Sequence, residues 1–163
     1  MNWVEYQQEF DHCNQLMIIC INNLVVDDWL KVIKFFSLTK AELHLFKKGK
    51  LVMLPNSIAG LTLLLEAGDD CLLSIDLGKV QLFGILKRWT MLTLLFKSSQ
   101  IDCEANAKVV FRVMTTLGRQ LNKPVILVTE QNRARPIFYY LPGQGLTYLS
   151  LTHQGNNNQQ STD

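Results

Sequence analysis

Few residues in this chain have the types and spacing that chemistry needs. Cys103 stands at the start of an amphipathic segment, where free backbone N–H groups and the positive end of a helix dipole favour a thiolate, so it is the one candidate nucleophile. A base for it is hard to supply. His44 would have to reach it from a distant hairpin, His12 lies in another region, His153 belongs to a polar tail, and Asp102 and Glu104 beside the thiol oppose its ionisation. Cys103 also continues an apolar stripe, so a packed core thiol is the expected role, and a cysteine-dependent enzyme stays only as the alternative function.

Asp69, Asp70 and Asp76 flank one hairpin and could together hold a cation or share a proton, but turns use Asp for local backbone hydrogen bonds. His12 beside Cys13 lacks the second ligand pair of a zinc site, so no metal is expected. Gly143-Gln144-Gly145 joins two strands and lacks the helix that aligns N–H groups on a phosphate, so no nucleotide or other cofactor is expected either. Lys47, Lys48 and Lys50 form a charged hairpin tip without interleaved aromatics, which is poor support for nucleic-acid binding.

The remaining cluster is either a solvated turn or a contact surface, and the latter is the expectation taken forward. Glu130, Arg133 and Arg135 crowd a loop between two strands, and loops held by rigid elements carry binding residues, Arg above all. Tyr139 and Tyr140 follow on one strand and point to opposite faces, so at most one belongs to the core and the other extends the loop's surface. A protein partner is therefore expected at Glu130, Arg133, Arg135, Tyr139 and Tyr140.

Composition narrows the classes that could use such a surface. The 163 residues are 48% hydrophobic and 18% charged with a formal charge of +2, too small to imply a polyanion partner. Cys13, Cys20, Cys71 and Cys103 contain no C-x-x-C pair. Glu5, Glu9 and Asp11 precede the apolar run Leu16 to Ile21, the reverse of a basic signal-peptide leader, and no apolar segment approaches the ~20 residues of a membrane span. A cytoplasmic protein without a membrane segment is expected, as one domain over residues 1–152 with a polar, disordered tail at 153–163.

The elements that must position these residues centre on Ser99 to Leu141. Cys103, Ala107, Val110, Met114, Leu117 and Leu121, widened by Val113, share one helical face opposite Glu104, Lys108, Arg112 and Arg119. Ser99 or Asp102 is the expected N-cap; Asn122 and Pro124 end the helix. Val125 to Val128 reads as a strand covered on both faces, followed by Ile137 to Leu141 and Leu146 to Leu151. Upstream, Asn2 caps a short helix with Trp3, Tyr6 and Phe10 on one side, lying against the outside of the domain. Leu16 to Ile21 is a buried strand, and Asp27 or Asp28 caps a helix burying Trp29, Val32, Ile33 and Phe36. Glu42 to Leu45 and Leu51 to Leu54 make a hairpin turning at Gly49. Ser57 could cap a helical turn, yet Leu61 to Leu65 reads equally as a strand and is taken as one, and Cys71 to Asp76, Val80 to Leu86 and Trp89 to Phe96 form a meander separated by Gly68-Asp69-Asp70, Gly78-Lys79 and Lys87-Arg88.

The expected fold is thus α+β: a single domain with a large, predominantly antiparallel meander sheet and two main helices packed on one face. The expected function is a non-catalytic protein-interaction module, such as an inhibitor, immunity-like or adaptor protein.

Overall fold

A computed structural model describes residues 1–11, 15–39, 41–66, 71–86 and 89–149. His12, Cys13, Asp69, Asp70, Lys87, Arg88, the end of the expected last strand and the expected tail lie outside the described residues.

Every strand pairs antiparallel with its neighbours. The strands are β1 (Leu16–Asn22), β2 (Glu42–Lys47), β3 (Lys50–Val52), β4 (Cys71–Asp76), β5 (Gln81–Leu86), β6 (Met91–Lys97), β7 (Val125–Thr129), β8 (Phe138–Leu141) and β9 (Gly145–Tyr148). They form one nine-stranded sheet in the order β3-β2-β4-β5-β6-β1-β7-β8-β9. Helices α1 (Trp3–Tyr6), α2 (Val26–Leu38), α3 (Ile58–Glu66) and α4 (Glu104–Leu121) complete the α+β domain. The meander β4-β5-β6 follows from its short connections; Asp76 Oδ1 accepts the Gly78 N–H at 2.7 Å in one of them. At the β2–β3 turn Lys48 and Gly49 both take positive φ, 52° and 75°, as a two-residue hairpin with the twist of its strands requires.

The long helix is the fold's centre. Ala107, Val110, Val113, Met114, Leu117 and Leu121 are all buried, and Asn122 ends α4 in the left-handed conformation. Helix α4 carries the chain from β6 across β1 to β7, and its buried face meets Val125, Leu127, Phe138 and Tyr140 in the core. Two caps differ from expectation. Neither Ser99 nor Asp102 caps α4: Ser99 lies in a 3-10 turn, and Asp102 Oδ1 instead accepts the Asn106 side-chain amide at 2.7 Å. In α2, Asp28 sits at the third helical position and reaches back to accept the Val25 N–H at 3.1 Å.

Leu61 to Leu65 is helix, not strand, and forms part of α3. Ser57 decides it, because its Oγ accepts the Gly60 N–H at 3.2 Å and its carbonyl the Leu61 N–H at 3.0 Å, satisfying two donors of the first turn. Leu61 is then buried and Leu63 faces solvent, as helical spacing and not strand alternation allows with Leu64 also against the core.

Helix α1 does more than lie on the outside. Tyr6 meets Phe111 and Phe138 edge-on at 5.4 and 5.5 Å, Phe10 stacks on Phe138, and the Tyr148 hydroxyl donates to Glu9 Oε1 at 2.6 Å. The first residues thereby close one end of the core.

Candidate functional site

Register assigns each strand residue to a face. Met17, Ile19 and Ile21 of β1 pair across with Phe96, Leu94 and Leu92, and this parity continues through Leu73 and Leu45 on one side and Leu127 and Phe138 on the other. Those residues make up the core that all four helices join. The other parity is the helix-free face, and it is apolar too. One row runs Leu51, Phe46, Leu72, Ile85 from the β3 edge, and Thr93, Cys20, Ile126, Tyr139 continue it toward β9. A second row runs His44, Ser74, Phe83, Leu95, Ile18, Val128. Leu51 is 63% exposed, Ile85 44% and Leu72 38%.

The β7–β8 loop borders this face. It is built of successive turns: Glu130 N–H donates to the Leu16 carbonyl at 2.9 Å, and Asn132 N–H to Thr129 Oγ1 at 3.1 Å. Arg135 N–H donates to the Asn132 carbonyl at 3.3 Å, and Ile137 N–H to the Leu127 carbonyl at 2.8 Å. Glu130, Arg133 and Arg135 are therefore held by their backbone while their side chains stay exposed. Burial raises the Cys20 thiol above its ordinary pKa, and the Arg133 charge pulls the other way. Ile18 and Val128 on the helix-free face are each only 1% exposed, although among the described residues no helix packs on them.

The two tyrosines separate as alternation requires. Tyr139 is half-buried on the helix-free face, between Ile126 of β7 and Thr147 of β9. Tyr140 turns into the core at 7% exposure and packs on Gly118 and Val125, so it takes no part in that surface.

Cys103 is the N-cap of α4 and not part of its first turn. Its backbone is extended at φ −155°, and its carbonyl accepts the Asn106 and Ala107 N–H groups at 3.2 Å each. His44, the one histidine among the described residues, stands exposed on β2 on the helix-free face, so the sheet lies between it and α4. Asp76 is engaged in its turn, and among the described residues no group of three His, Cys, Asp or Glu side chains could hold a metal ion. A cavity of about 340 Å³ between α2 and α4 has Thr39 and Arg112 as its polar lining, and one of about 420 Å³ beside α3 has Lys47 and Asn56; neither includes Cys103 or His44. Among the described residues no helix is long and apolar enough to cross a membrane.

The structure thus puts Glu130, Arg133 and Arg135 on one exposed loop and Tyr139 on the same face of the sheet, two side-chain rows from Glu130, and leaves Cys103 and Tyr140 elsewhere. It adds Phe46, Leu51, Leu72 and Ile85, which the sequence reading passed over. Their signal was present: Leu72-Leu73 and Ile85-Leu86 make strands apolar at both parities, in a chain whose main helices suffice for one face. No protein-family model, curated protein or solved structure matches the chain.

Proposed function

We propose that this chain is a non-catalytic protein-interaction module of the inhibitor, immunity-like or adaptor kind, and that it binds through the helix-free face of its sheet with the β7–β8 loop as a polar rim. The observation that carries this reading is the apolar row Leu51, Phe46, Leu72, Ile85 on a face that none of the four helices covers. A contiguous apolar patch bordered by charged groups is what a contact surface requires, since water gains nothing from it and a partner gains the burial. Arg133 and Arg135 add planar multi-donor groups, and Tyr139 a rigid ring with a polar tip. The reading includes a cytoplasmic location, which rests on four cysteines without a pairing motif.

Replacing Arg133 and Arg135 together by Ala tests it. Exposed loop charges contribute about 0–1 kcal/mol to folding, whereas truncating an interface Arg costs about 2 kcal/mol or more of binding. The melting temperature should hold while a partner captured from the native cell by the wild-type chain is lost. Retention of that partner at unchanged affinity would place the interface elsewhere.

A further inference from the structure

The cavity between α2 and α4 lies across the sheet from the contact surface proposed above, does not depend on it, and is built like a small-molecule site. Helix α4 lines it with Val109, Arg112 and Val113, which share one helix face, and α2 with Phe35 and Thr39, four residues apart. The third wall comes from the sheet. Ala41 and Leu77 follow the core-facing parity of Leu43 and Ile75, one step past the Glu42–Asp76 pair, and both pack against the core. Phe35 and Val113 are buried while Arg112 is exposed, so the pocket has an apolar floor and a cationic mouth. Ala41 is the small side chain in the row that Leu43 and Leu45 continue, and a leucine there would project into the space.

Arg112 has no acid to answer it. Among the described residues it forms no ion pair; Glu104, on the same side of α4, is held by Lys108 at 3.0 Å, and Glu42 and Asp76 take the helix-free parity. The carbonyls at the end of α2 are engaged as well, since Phe35 O accepts the Thr39 N–H at 3.1 Å and Phe36 O the Thr39 hydroxyl at 2.7 Å. That leaves the pocket one cation and one hydroxyl oxygen as polar groups among apolar walls. We propose that it binds a small apolar monocarboxylate, with the carboxylate on the planar Arg112 guanidinium, which can offer two parallel N–H donors, and the hydrocarbon body against Phe35, Leu77, Val109 and Val113. A sugar or a phosphate ester would leave most of its polar groups unpaired here. The volume of about 340 Å³ is a little over twice the roughly 150 Å³ of an apolar cavity that holds one benzene ring, so the body is a two-ring aromatic or a chain of similar size.

The test is titration of the purified full-length chain with 2-naphthoate, with decanoate and with the neutral isostere 2-naphthamide, followed by methyl NMR, for the wild type, Arg112→Gln and Ala41→Leu. Both acids should shift the methyl groups of Leu77, Val109 and Val113 to saturation, and 2-naphthamide should bind more weakly than 2-naphthoate by roughly fivefold or more. Arg112→Gln should weaken 2-naphthoate by roughly the same factor, leave 2-naphthamide unchanged and keep the melting temperature, because the side chain is exposed. Ala41→Leu should weaken all three by filling the space. If Ala41→Leu fails to fold, Arg112→Gln decides alone. The inference is overturned if neither acid shifts those methyl groups at millimolar concentration, if acid and amide bind equally, or if Arg112→Gln leaves 2-naphthoate binding unchanged. Shifts at Leu72 and Ile85 instead would put the acid on the helix-free face and overturn it too.

Discussion

Gly118 shows what a single residue can decide in this fold. A Gly in the middle of α4 costs about 0.5–1 kcal/mol of helix stability relative to Ala, so Gly118→Ala would ordinarily stabilise. Here the added Cβ would overlap Cδ1 and Cε1 of Tyr140 and stand 2.9 Å from Val125 Cγ2. Rigid ring against rigid helix leaves little room for relaxation, so overpacking wins and the variant should lose about 1–3 kcal/mol in a denaturant titration. Asp28 offers a second test at this scale. Burial would raise its carboxyl, but the Val25 N–H, Lys31 at 3.2 Å and Lys123 at 3.5 Å outweigh it and hold the pKa below the ordinary carboxylate value. A folded-state pKa lower than the unfolded one means stability that is fully present above the unfolded value of about 3.9 and lost as pH falls through the folded value. Asp28→Asn should therefore cost about 1–3 kcal/mol near neutral pH, and its deficit should shrink as the solution is acidified through that window.

Among the elements, α4 separates burial from exposure most sharply. Met114 and Leu117 are fully buried and Arg112 is exposed, so Met114→Asp or Leu117→Asp should unfold the chain and Arg112→Asp should leave its melting temperature nearly unchanged. Equal loss from both would mean the helix is rotated from the orientation described. This helix was legible because its apolar residues repeat at three and four, and because Asn122 and Pro124 mark its end by backbone chemistry alone. Helix α3 was not, since five successive residues from Leu61 carry no polar alternation in either period. Only the Ser57 cap and the burial of Leu61 beneath α2 and its neighbours choose between the two, and burial is a tertiary fact. Cys103 misled for a related reason. A residue at the N-cap continues the helical spacing, yet its extended backbone places it outside the stripe.

At the scale of the whole molecule, the sheet is covered on one face by helices and bordered on the other by a charged loop, and the proposed function follows from that asymmetry. The antiparallel meander and the Arg loop could be read from turn residues and alternation. That single strands are apolar on both faces was also legible, but the joining of Phe46, Leu72 and Ile85 into one row was not, because it needs the register of separate strands: Leu72 meets Phe46 and Ile85 only once β2, β4 and β5 are paired. The most direct measurement of the central claim is hydroxyl-radical footprinting of the chain in native-cell extract against the purified chain at high dilution. Labelling of Leu51, Leu72, Ile85 and Tyr139 should fall several-fold in the extract, while Leu38 on α2 and Leu63 on α3, both exposed on the helix side, should label as before. Unchanged labelling across the helix-free face, with protection at Leu38 and Leu63 instead, would contradict it.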